Sequence, residues 1–104
     1  LTQNEMKKKQ LTLHDTSYII GIDSSKYILD DIIVLMNQSD IAVPDQLING
    51  DRTLVVLSFS YIKTTFSMKI NNICIQITET QMIAFLLYAM YYDIARCYDQ
   101  YGEY

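Results

Sequence analysis

The sequence predicts an α+β fold: a small antiparallel sheet of three to four strands packed against two helices, in the order β-α-β-β-β-α. Three observations carry this. The middle of the chain holds the runs "TLVVLSFSYI", "TTFSMKI" and "ICIQIT", in which apolar and polar residues alternate, the period of strands with one buried face. The segments before and after it, "DSSKYILDDIIVLMNQSD" and "TETQMIAFLLYAMYYDIARCYD", repeat their apolar residues at helical spacing instead. Finally, 104 residues, half of them apolar, with three Gly and one Pro, suit one domain with a small core rather than a disordered chain.

Residues 1–10, "LTQNEMKKKQ", read as a polar N-terminal arm, and 11–104 as the single domain. Ser17–Ile22, "SYIIGI", is a compact apolar run and reads as a buried strand. A helix is expected over about 24–38, capped by Asp23 or Ser24, with Ile28, Leu29, Ile32, Leu35 and Met36 on its apolar face. A strand competes over 26–36, because Ile and Val are β-formers. "SDIAVPDQLINGDRT" reads as loop, with a turn at Asn49–Gly50.

Three strands follow. Leu57, Phe59 and Tyr61 share one face, then Phe66, Met68 and Ile70, then Ile73, Ile75 and Ile77. Asn71–Asn72 suits a two-residue type I′ turn, because Asn tolerates positive φ. The last helix is expected over about 80–99, with Thr78 or Thr80 as cap and Glu79 and Gln81 in its first turn. On a helical wheel Ile83, Leu86, Leu87, Met90, Ile94 and Cys97 form one broad face, read as core. Phe85, Tyr88 and Tyr92 lie opposite, a side that is either covered by the first helix or the N-terminal segment or exposed as an aromatic patch for dimerisation or a partner.

A net charge of −4 and a pI near 4.6 argue against direct nucleic-acid binding, which needs excess Lys and Arg to neutralise phosphates. The one cationic run is Lys7, Lys8 and Lys9. "NEMKKKQLTLHD" has positive residues but no apolar core of a signal peptide. The longest apolar run, 82–92, is too short to span a bilayer. With two cysteines, Cys74 and Cys97, read as buried free thiols rather than a disulfide framework, a cytoplasmic location is expected. A first residue of Leu1 points to a trimmed or processed form.

No Cys-x-x-Cys, phosphate-binding loop or dinucleotide fingerprint is present. His14 is the sole histidine, so His14–Asp15 has no ligand set around it and no catalytic triad can be assembled. "YIIGIDSSKY" resembles the first-strand motif of RNase H-like nucleases, some RuvC-type transposases among them, and of actin-like ATPases. That resemblance implies a metal-dependent nuclease with Asp23 as its first metal-binding carboxylate. Glu79 and Asp93 are the further carboxylates on offer, in surroundings that match no family pattern. The competing reading is that Asp23 only caps the following helix.

The favoured reading has no catalytic residue, metal or cofactor. It is an acidic protein-binding module whose candidate partner-binding residues are Phe85, Tyr88, Tyr92, Asp99 and Tyr101, because tyrosine combines apolar area with a polar tip. The expected partner is another protein with a basic or apolar surface, or a second copy in a homodimer, and not a membrane. By analogy of size and charge alone, stoichiometric inhibitors such as phage counter-defence (anti-CRISPR-like) and toxin-immunity proteins are comparable. A self-assembling structural or adaptor protein is a further alternative.

Overall fold

A computed structural model describes residues 21–22, 26–49, 54–99 and 102–103. The expected α+β order is present, with additions. Strand β1 is Gly21–Ile22 and β2 is Lys26–Ile28. Helix α1 is Leu29–Gln38 and α2 is the short turn Asp45–Ile48. Strands β3, β4 and β5 are Leu54–Ile62, Thr65–Ile70 and Ile73–Ile77. Helix α3 is Glu79–Tyr91, and β6 and β7 are Cys97–Asp99 and Gly102–Glu103. The main sheet has the order β2-β3-β4-β5, antiparallel throughout, and a second small sheet has the order β1-β6-β7.

The alternation read in the middle of the chain sets the register of the main sheet. Phe59 stands opposite Met68 and Met68 opposite Ile75. Leu57 pairs with Ile70, and Ile70 with Ile73. These side chains share the inner face, where Leu57, Met68 and Ile70 are buried. On the outer face the Ser60 and Ser67 hydroxyls meet at 2.6 Å across a directly opposed pair.

The β4–β5 hairpin turns at Asn71–Asn72. Asn71 takes φ 53, which its short polar side chain tolerates, but Asn72 does not have positive φ, so this turn is not the expected type I′, which needs it at both residues. Its backbone N–H donates to the Val56 carbonyl at 2.8 Å, and its side-chain Oδ1 accepts from the Val56 N–H at 2.9 Å. One asparagine thus both turns the hairpin and closes the ladder against β3. The β3–β4 hairpin turns at Lys63–Thr64, between the paired Ile62 and Thr65. Both residues have positive φ, 52 and 62. A type I′ turn requires this, but its usual residues are Asn and Gly, so the sequence carries no signal of it.

Helix α1 starts later than the predicted 24–38. Lys26, Tyr27 and Ile28 instead pair with Val56, Val55 and Leu54, so part of the competing strand reading is realised. Pairing to β3 satisfies backbone groups that a helical first turn would leave orphaned. The cap position is Ile28, in extended geometry with no side-chain cap bond, not Asp23 or Ser24. Ile28 is also exposed, whereas Leu29, Ile32, Leu35 and Met36 form the buried stripe as expected. The predicted loop contains α2, which Leu47 anchors in the core. The Asn49–Gly50 turn lies partly outside the described residues, as does most of the predicted strand 17–22.

Helix α3 opens on a reciprocal capping box. Thr78 Oγ1 accepts from the Gln81 N–H at 3.1 Å, and Gln81 Oε1 accepts from the Thr78 N–H at 2.8 Å. The same Gln81 donates through Nε2 to the Asp40 carbonyl at 2.8 Å, tying the start of α3 to the end of α1.

Both long helices end on an aspartate in the left-handed region, Asp40 at φ 58 and Asp93 at φ 59. Ile41 N–H donates to Met36 C=O at 2.9 Å, and Ile94 N–H to Ala89 C=O at 2.9 Å, the six-to-one bond of a Schellman motif. The predicted helix over 80–99 therefore stops at Tyr91. Cys97, expected on its core face, is buried on β6, with its thiol 3.6 Å from the Leu86 carbonyl. Cys74, expected buried, is exposed on β5; both cysteines are free.

The face that α3 buries also differs from the wheel reading. Met82, Phe85, Leu86 and Ala89 form the fully covered stripe, while Ile83 and Met90 are only half-buried. A helix apolar nearly all round gives its wheel no direction, and packing decides.

Candidate functional site

The five residues proposed for partner binding separate in this fold. Phe85 is 0% exposed. Its ring stands edge-on to Phe59 at 5.5 Å between centroids, joining α3 to the main sheet. It belongs to the core and offers nothing to a partner. Tyr88 and Tyr92 stay together at the end of α3, their rings stacked at 6.2 Å with a 14° interplanar angle. Asp99 lies on β6 by its backbone, and its side chain, like the whole of Tyr101, lies outside the described residues. So do His14 and Asp23.

Tyr91 and Gln38 complete the cluster. Tyr91 meets Tyr92 edge-on at 5.3 Å and 81°. Gln38, the last residue of α1, donates through Nε2 to the Tyr92 hydroxyl at 2.9 Å. The site therefore sits at the C-terminal end of α3, with the Gln38 side chain reaching it from the end of α1. Tyr91 and Tyr92 are each 41% exposed, and Tyr88 is half-buried beneath them. Asp93, exposed and in the left-handed region, turns the chain away immediately beyond.

The Schellman turn is what produces this arrangement. It halts α3 straight after the two tyrosines, so their rings project at a helix end instead of lying along a covered flank. The Tyr88–Tyr92 spacing places the two rings one above the other on the helix surface. Stacking on Tyr88 and the Gln38 hydrogen bond restrict the orientation of the Tyr92 ring. Chemically the cluster presents aromatic faces, phenol donors and a nearby carboxylate. It can take an apolar side chain or a cation over a ring.

The sequence signal for Tyr91 was present in the adjacent pair "YY". It was passed over because the wheel placed Tyr91 on neither face. Gln38 had no signal, since its partner is 54 residues away.

Segment 26–36 was the discriminating one for the nuclease resemblance, which would place a strand there. It is strand only through Ile28 and helix from Leu29 onwards. Among the described residues no group of three or more His, Cys, Asp or Glu is placed to hold a metal ion, and no helix is long and apolar enough to cross a membrane. No protein-family profile, curated protein or solved structure matches the chain.

Proposed function

We propose that this protein is a non-enzymatic binding module that occupies the surface of another protein through the tyrosine cluster at the C-terminal end of α3. The observation that supports the reading is the exposure of Tyr91 and Tyr92 on a support that already fixes them, the Tyr88 stack and the Gln38 hydrogen bond. Interfaces concentrate their energy in such aromatic anchors, ringed by contacts that exclude water. The partner surface is apolar or basic: tyrosine faces attract Arg and Lys, and Asp93 adds a carboxylate at the rim. Occupation of a surface, with no turnover, is how stoichiometric inhibitors act, and inhibition is the activity proposed.

The test is paired affinity capture from the source cells with the wild-type chain and a Tyr91→Ser, Tyr92→Ser variant, alongside thermal unfolding of both. The expected result is a partner held by the wild type and lost by the variant, with the variant still unfolding cooperatively at a midpoint lowered by about 5–10 °C. Capture of the same partner by both proteins would sink the proposal. Sedimentation of the isolated chain distinguishes a foreign partner from self-assembly: a homodimer abolished by the same substitutions would replace the inhibitor reading with the self-assembly one.

A further inference from the structure

The outer face of the main sheet, turned away from α1 and α3, carries a second and chemically opposite surface. Alternation along the strands sends Lys26 and Ile28 of β2, Leu54 and Val56 of β3, and Lys69 of β4 to this side. Ile28, Leu54 and Val56 are 55%, 51% and 50% exposed. Ile28 stands directly opposite Leu54, and Lys26 directly opposite Val56. Lys69 faces Ser58, the next outward residue of β3 after Val56. Both lysines thus lie towards one end of the aliphatic patch, Lys26 beside Val56 and Lys69 one outward position farther along β3, two strand spacings or ~10 Å apart across the sheet.

The charge distribution is what selects an occupant. The whole chain has a net charge of −4, yet among the described residues every charged side chain on this face is a lysine. The acids of the main body, Asp30, Asp31, Asp40, Asp45, Glu79 and Asp93, lie on the helices or at their ends. An exposed aliphatic patch rimmed by one sign of charge is complementary to an apolar segment carrying the other sign. Nucleic acid fits less well, because among its described residues this face offers no aromatic ring for base stacking and two lysines neutralise few phosphates.

We propose that the outer sheet face docks an acidic protein segment, one in which Leu- or Ile-type residues are interleaved with Asp or Glu. This site is distinct from the tyrosine cluster, which suits the opposite chemistry, and it stands or falls independently of it. The apolar residues of the segment cover Ile28, Leu54 and Val56, and its carboxylates pair with Lys26 and Lys69.

The experiment titrates the isotope-labelled full chain with a synthetic peptide of alternating Leu and Glu, followed by amide NMR shifts. The control arms are a peptide of alternating Leu and Lys, an oligothymidylate, and the unliganded chain over the same concentrations. The expected result is that the Leu–Glu peptide shifts the amides of 26–28, 54–58 and 68–70, and does so less as salt is raised. Val56→Glu weakens binding by about tenfold or more by placing like charge at the patch centre. Lys26→Glu, a surface change that leaves the core untouched, does the same, so one misfolded variant does not decide the outcome. Tyr91→Ser with Tyr92→Ser leaves this binding unchanged. Equal binding of the Leu–Lys peptide, or shifts confined to α3, would overturn the proposal. Shifts at this face from the oligothymidylate alone would reassign it to nucleic acid. Concentration-dependent self-association abolished by Val56→Glu would reassign it to a second copy.

Discussion

Phe85→Ala and Tyr92→Ser are expected to part company in stability, because the two aromatics were read as one surface and the fold places them in different environments. Phe85 is fully buried and edge-on to Phe59 at 5.5 Å. Truncating a buried Phe to Ala costs about 3–5 kcal/mol, transfer and cavity together, and the lost aromatic pair lies within that figure. A domain of 104 residues has a stability of roughly 5–15 kcal/mol, so the loss is about a fifth of the total or more. At a urea slope of about 1–3 kcal/mol/M, the unfolding midpoint falls by roughly 2 M. Tyr92 is 41% exposed and loses one ring stack, one edge-on ring contact and one exposed hydrogen bond, together about 1–2 kcal/mol. Phe85→Leu, which keeps most of the volume, is expected to cost under about 1.5 kcal/mol. Urea unfolding followed by far-UV circular dichroism measures all three. A Phe85→Ala midpoint within experimental error of that of Tyr92→Ser would refute the assignment of Phe85 to the core.

Four further changes test how the elements are held. Lys63→Asn with Thr64→Gly is expected to raise stability by about 1–2 kcal/mol, because both residues sit in the left-handed region, where any Cβ is strained and that of the branched Thr64 most; an unchanged urea midpoint would contradict the type I′ turn. Asn71→Ala removes both the tolerance for φ 53 and the bond from the Val56 N–H, and is expected to cost about 1–2 kcal/mol by thermal unfolding. Thr78→Ala breaks the capping box of α3 and is expected to cost about 1 kcal/mol, with faster amide exchange in residues 79–82. Ser39 places a buried hydroxyl with no hydrogen-bond partner at the end of α1. Ser39→Ala is therefore expected to be neutral or stabilising by up to about 1 kcal/mol; a clear loss in the same melt would show that the hydroxyl is satisfied after all.

The sheet was legible because its information is local. Alternation in "TLVVLSFSYI", "TTFSMKI" and "ICIQIT" sorts each residue to a face, and a slip of one position would turn every Ile and Phe outward. Asn71 was legible for the same reason: its side chain permits the backbone angle found there. Where the reading failed, a distant partner decided. Lys26–Ile28 is strand because Leu54–Val56 lies beside it, and nothing within 24–38 reveals that neighbour. The Lys63–Thr64 turn was hidden because the strands, not the turn residues, dictate its angles. Cys74 was taken for core on apolar surroundings alone, although its position, alternating with Ile73 and Ile75, already put it on the outer face.

The end of α3 shows how one backbone angle decides whether a tyrosine is core or surface. The sequence offers no Gly until Gly102, so a helix running on to about 99 was the economical reading. Asp93 adopts φ 59 instead, at a steric cost of about 1–2 kcal/mol for a residue with a Cβ. The Schellman bond from Ile94 to Ala89, with Ile94 and Ala95 folded back against the core, offsets that cost. Had the helix continued, Cys97 could not reach β1 to pair opposite Ile22, and Tyr92 would lie in mid-helix. Stopping at Tyr91 returns Cys97 to the core and leaves Tyr91 and Tyr92 at an open end beside Gln38. The same turn that completes the small sheet thus creates the tyrosine surface. A change that extends the helix should remove that surface without touching a tyrosine.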